Sequence, residues 1–242
     1  MKRFLLILAG LGVICFLVGN LASQEKKEEE KKEEKKVIKI DFEFDKLPGE
    51  WKIEGNEFKL ADDIFKSGKK SLYLGNKTSA TFKISDENVF GKVTMWVYDM
   101  AKRLDNEKAH AYGPRWGLTN DFGDKFVISC LWAPYIAGNQ TYGWMSTAEN
   151  AWYSKRYTRA GRPREAKWQK WVFDYKDKTT LQILLNPDGA KPEYDSLQDV
   201  NLKPIEAGKF DMGFNGIYLY GGDGNVAGVY IDDIEIEIYP KK

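Results

Sequence analysis

Residues 151–164 read AWYSKRYTRAGRPR, three aromatic side chains and five cations in a stretch with neither helical nor strand periodicity. Aromatic rings stack on flat apolar faces, and guanidinium groups clamp carboxylate or sulfate oxygens in a two-pronged fork. The run closes a longer aromatic interval: Trp132, Tyr135, Tyr142, Trp144, Trp152, Tyr153 and Tyr157 fall within 26 residues, followed by Lys155, Arg156, Arg159, Arg162, Arg164 and Lys167 against two acids, Glu149 and Glu165. Sugars offer C–H faces that stack on Trp and Tyr, and hydroxyls that bond to polar side chains. Trp132, Tyr135, Tyr142, Trp144, Trp152, Tyr153, Arg156, Tyr157 and Arg159 are therefore the candidate residues of a glycan-binding face. The excess of positive charge suits a uronic or sulfated sugar. The structural alternative is that the rings close over a core and the cations pair with acids elsewhere, since the whole chain carries a net charge of only +1.

Other chemistry is thinly supported. His110 is the only histidine, so a histidine-based zinc site or a Ser/His/Asp triad would hang on one residue with no motif around it. DIEIE, residues 233–237, sets three carboxylates on one strand face, as paired acids for glycoside hydrolysis would require. Alternating acids on an edge strand, however, also deter edge-to-edge pairing, and that is the reading we adopt. Asp121 and Asp124 in TNDFGDKF read as turn residues. GGDGN, residues 221–225, is glycine-rich but lies between two strands. A phosphate cradle needs a helix N-terminus after its glycines, so this stretch reads as a hairpin turn.

The ends of the chain bound where these residues work. MKRFLLILAGLGVICFLVGNLASQ has the layout of an export signal, with Lys2 and Arg3 ahead of an apolar run from Phe4 to Val18. The same stretch is long enough to serve as an uncleaved anchor, while Ile14 before Cys15 is bulkier than a lipoprotein signal normally tolerates. Residues 1–23 are thus a signal peptide or membrane anchor, and the rest is expected to be exported. Residues 24–36 hold six Lys and six Glu with nothing to bury and read as a solvated linker. From Val37 to Lys242 lies one domain of about 206 residues with a single cysteine, Cys130, so a core and not a disulfide must stabilise it. Its near-neutral charge argues against nucleic acid as a partner, and membrane contact is expected only through the N-terminal segment.

Period-two alternation dominates this domain. In VIKIDFEFD the residues Ile38, Ile40, Phe42 and Phe44 share one face, and SGKKSLYLG, SATFKI, GKVTMWVYD, KFVISCLW, WQKWVFDY, TTLQILLN, FNGIYLYGG and GVYIDDIEIEIY read as further strands. About ten strands with few helices predict an antiparallel β-sandwich of the jelly-roll kind. The apolar phase slips at Asp232–Asp233, which predicts a bulge or an edge crossing. Residues 99–117 and 133–167 do not alternate and are expected to be functional loops. Trp168 and Trp171 are both expected in the core.

IDFEFDKLPGEW, SGKKSLYL and GVYIDDIEI resemble the opening, second and closing strands of jelly-roll carbohydrate-binding modules. KWQKWVFDYKDKTTLQILLN is similar to concanavalin A-like and laminin-G-like sandwiches, although AKWQKW stands where those carry a different mid-domain motif. The resemblance implies an all-β, galactose-binding-like or concanavalin A-like sandwich that binds glycans. It also implies a structural Ca²⁺ between the first and last strands, held here by Glu43, Asp232 and Asp233, oxygen ligands of the kind Ca²⁺ takes. The expected function is a non-catalytic, lectin-like domain for a polysaccharide with some anionic character. The alternatives are a glycoside hydrolase or polysaccharide lyase on the same fold, and a structural or adhesive envelope protein.

Overall fold

A computed structural model of the chain describes residues 35–101, 111–132, 140–146, 164–178, 180–188, 200–201, 213–223 and 227–241. The expected signal or anchor and nearly all of the linker lie outside these residues. Every regular element among them is a strand: β1 (Lys36–Ile40), β2 (Trp51–Glu54), β3 (Phe58–Ala61), β4 (Ser71–Leu74), β5 (Ser79–Lys83), β6 (Gly91–Asp99), β7 (Ala111–Thr119), β8 (Lys125–Trp132), β9 (Gln140–Ser146), β10 (Trp168–Asp177), β11 (Thr180–Leu185), β12 (Val200–Asn201), β13 (Gly216–Tyr220) and β14 (Val229–Ile238). They form two sheets. The larger runs β12-β11-β10-β6-β14-β4-β3, with β1 added beside β14, and the smaller runs β2-β5-β13-β7-β8-β9. All of the pairings are antiparallel.

Side-chain alternation writes the two layers directly. Along β6, Val93, Met95 and Val97 are buried while Lys92, Thr94, Trp96 and Tyr98 are half-buried on the other face. β5 and β13 repeat the pattern for the smaller sheet with Ala80, Phe82, Ile217 and Leu219. The inward residues of both sheets join in one hydrophobic cluster. At its centre Trp116 of β7, Tyr142 of β9 and Trp171 of β10 meet edge-to-face, with ring centroids 5.2–5.7 Å apart.

Several sequence expectations change. AYGPRWGLT falls in an interval read as a loop, yet it is β7, and its register shifts between Tyr112 and Arg115. Pro114 sits in that shift, which is where an antiparallel strand can accommodate a residue with no N–H to donate. QTYGWMS is likewise a strand, β9, paired along its length with β8. Trp168 and Trp171 lie three apart and so on opposite faces: Trp171 is in the core, but Trp168 is half-buried outside against Tyr98. The acids of DIEIE do not guard an edge. β14 has β6 on one side and β1 and β4 on the other, and neighbouring lysines match its acids: Lys39 with Glu235 at 3.2 Å, and Lys92 and Lys35 with Glu237. GGDGN is not a hairpin, because β13 and β14 belong to different sheets. Its Gly221 passes so close to the Gly75 carbonyl that a Cβ there would collide with the oxygen. The expected bulge is present: pairing with β6 shifts between Asp232 and Glu235, and Asp233 has φ +44°.

Candidate functional site

The bulge gives Glu43, Asp232 and Asp233 a shared target. β1 ends at Ile40, and Phe42, at φ +59°, tucks its ring into the core, which leaves Glu43 facing residues 66–70. Glu43 Oε1 accepts the backbone N–H of Lys69 (2.6 Å) and Lys70 (2.9 Å). Asp232 Oδ2 accepts those of Lys66 (2.8 Å) and Ser67 (3.2 Å), and the Ser67 hydroxyl donates to Asp233 (2.7 Å). Gly68 has φ +60° and lies against the Glu43 carboxylate where a Cβ would stand, so the loop can close on that oxygen only with glycine there. The three residues that the resemblance assigns to Ca²⁺ thus come together. Their contacts, however, are with N–H and O–H donors, the wrong polarity for a cation cage, and no three His, Cys, Asp or Glu side chains among the described residues group closely enough to hold a metal. As placed, the carboxylates tie the first strand, the last strand and the 66–70 loop together without one.

Burial pushes the Asp232 carboxyl up to about 6, against the pull of its three backbone N–H partners. With the folded value above the ordinary 3.8, the stability this group contributes is fully present below that value and is lost as pH rises through about 6. Carbon-13 NMR should therefore find the Asp232 carboxyl titrating near 6, and Asp232→Asn should flatten the melting-temperature profile between those two pH values. A titration near 3.8 would mean that the carboxylate is hydrated.

A second feature lies on the solvent face of the smaller sheet. Residues of 49–54, 81–86, 119–125 and 215–218 line a groove of about 1020 Å³. Its floor is made by the residues between the core positions of β2, β5, β7, β8 and β13: Lys52, Thr81, Lys83, Thr119, Lys125 and Tyr218. The Tyr218 ring stacks on Tyr220 at 6.5 Å and 17°, Lys125 Nζ stands 4.8 Å from the Tyr218 centroid, and the Arg115 guanidinium lies 4.9 Å from that of Tyr220. Beyond the groove, Asp223 accepts from Arg115 Nη2 at 2.6 Å and from the Tyr220 hydroxyl. Burial, followed by the hydrogen bond to Asp223, pushes the Tyr220 phenol far up, and burial raises that of Tyr218. Both stay protonated at any physiological pH.

The candidate glycan residues are placed only in part. Tyr135, Trp152, Tyr153, Arg156, Tyr157 and Arg159 lie outside the described residues. Trp132 closes β8 opposite Gln140, and Trp144 pairs with Ile128. Tyr142 is 1% exposed and belongs to the core, so it presents no face to a ligand. Arg164, one of the cations of the opening run, is also inside: its Nε and Nη2 bond both oxygens of Asp99 at 2.7 and 2.6 Å, with each side chain 1% exposed. Lys167 pairs with Glu165. Sequence reasoning missed Arg115, Lys125, Tyr218, Tyr220 and Asp223. The available signal was IYLY, in which two tyrosines alternate with Ile217 and Leu219 and must therefore face away from the core.

No protein-family model matches the chain, and no curated protein matches it by sequence. Solved structures do. Cellulose induced protein Cip1 aligns with a TM-score of 0.53 at 15% identity, over 82% of this chain and 96% of that one. The CBM2 module of the evolved Dit of Lactobacillus casei BL23 phage J-1 aligns with a TM-score of 0.53 at 11% identity, over 86% and 99%. The receptor binding domain of botulinum neurotoxin D aligns with a TM-score of 0.42 at 13% identity, and this chain spans 45% of it. With the first two, at a TM-score of 0.53, what is shared is the fold.

Proposed function

We propose that the chain is a carbohydrate-binding, lectin-like domain that lays a polysaccharide along the solvent face of its smaller sheet. The observation that carries this reading is the groove. Its length across several strands suits a chain rather than a small molecule, and Tyr218, flanked by Tyr220 and Lys125, sets an aromatic edge and a hydroxyl among polar groups. A neighbour of the same fold is a CBM module, which supports the reading by analogy of fold. The lyase alternative needs a base beside a uronate-neutralising cation. Tyrosines held protonated by burial serve stacking and hydrogen-bond donation better than proton abstraction. The signal-like or anchor-like pattern of residues 1–23 supports a site of action outside the cytoplasm.

The test is a broad glycan array probed with the full chain, with and without EDTA. Selective binding is expected, unaffected by EDTA, and weakened roughly tenfold by Tyr218→Ala, the loss of about 1.4 kcal/mol that one aromatic platform can supply. Silence across neutral and acidic glycans from a folded protein would sink the proposal.

A further inference from the structure

We infer that the polysaccharide held in the groove is uncharged. This rests on the carbohydrate-binding reading and departs from the anionic bias read in the sequence. Among the described residues three cations line the groove, Lys52, Lys83 and Lys125. Lys52 pairs with Glu54 at 2.7 Å and Lys83 with Asp86 at 2.5 Å. Lys125 leans on the Tyr218 ring, and its charge also helps hold the Glu54 carboxyl down, behind the larger effect of Lys52. With Glu50 and Asp121 added, acids in the lining outnumber cations.

Surface ion pairs of this kind are worth only about 0–1 kcal/mol, so an incoming carboxylate could draw a lysine from its partner. Doing so would leave the abandoned acid facing the ligand's own charge, and the repulsion would cancel the gain. Nor does the described lining of the groove hold a guanidinium. Among the described residues the two arginines, Arg115 and Arg164, are both buried and bound to aspartates at 2.6 Å. The anionic bias came from the cations of 155–167: Arg164 and Lys167 are matched by acids, and Lys155, Arg156, Arg159 and Arg162 lie outside the described residues and are not among those lining the groove. What the groove offers is the edge of an aromatic ring with hydroxyl and amide groups, Thr81, Ser85 and Asn215 among them, which suits the C–H groups and hydroxyls of neutral hexoses.

The experiment titrates the full chain with matched oligosaccharides of glucan, mannan and galactan, each neutral or oxidised at C6 to the uronate, at low and high salt. The neutral member of the recognised pair should bind about tenfold or more tightly than its uronate, with little salt dependence, since no phosphate-like charge contact is formed. Glu54→Lys should narrow or reverse that preference and make uronate binding salt-sensitive. Tighter binding of the uronate by the unaltered protein, weakened by salt, would overturn the inference while leaving the carbohydrate-binding reading in place. Silence to both members of every pair from a folded protein would instead remove that reading, and the inference with it.

Discussion

Replacing Arg164 by methionine is expected to lower the stability of the fold by about 3–5 kcal/mol, the usual cost of leaving one partner of a buried ion pair without the other. Asp99 ends β6 on its inward face, and its two oxygens face the Arg164 fork at 2.6–2.7 Å with essentially no water. Without the guanidinium the carboxylate would keep its desolvation penalty and the Ala101 N–H bond, and lose the charge attraction that offsets that penalty. Asp99→Asn should be milder, because a neutral amide can still accept from the guanidinium, although Arg164 then carries the unmatched charge. The double variant Asp99→Leu with Arg164→Met should recover most of the loss. Denaturant unfolding of the three proteins reads this pattern. A single Arg164→Met variant that unfolds with the wild type would show that the pair is not buried in solution.

Trp171→Ala should be of similar size, about 3–5 kcal/mol, or roughly 6–20 °C in melting temperature for a domain of this length. Trp171 is fully buried and touches Trp116 at 5.5 Å and Tyr142 at 5.2 Å, so its removal opens a cavity between the two sheets rather than at a rim. Phenylalanine should cost much less than alanine. The Trp171 indole N–H finds no hydrogen-bond partner, so Trp171→Phe keeps most of the ring contact while deleting an unsatisfied donor. Equal losses for the two variants would mean that the indole is bonded in solution, and the interpretation of the ring cluster would have to change.

Strands were legible where their two faces differ in chemistry. GKVTMWVYD ends at the residues the pattern predicts because it alternates buried with half-buried side chains, and KFVISCLW is also a strand although Val127 and Ser129 are buried along with Phe126 and Ile128. AYGPRWGLT was illegible for a local reason: Pro114 stands in a register shift, Gly117 adds no side chain, and Arg115 is buried on the outward face by its pairing with Asp223. Glu43, Asp232 and Asp233 could be grouped by resemblance, but what they bind depends on which way the backbone of residues 66–70 turns, which no side-chain pattern records. The groove was hidden because its walls come from four separate segments, and the tyrosine on its floor announces itself only as half of an alternation.

The register of β1 carries a consequence for the order of events in folding. Lys36 lies opposite Ile238 and Ile40 opposite Ile234, so this strand waits for partners about two hundred residues further along the chain. β14 also supplies the edge on which both β4 and β6 hydrogen-bond, so the larger sheet has a gap at its middle until residues 229–238 arrive. In the smaller sheet β7, β8 and β9 pair in sequence order, while β13, at residues 216–220, must arrive to join β5 to β7. The β7–β8–β9 meander can therefore form first, while the joining of β5 through β13 and the closure of the larger sheet through β14 are late, long-range and correspondingly slow steps.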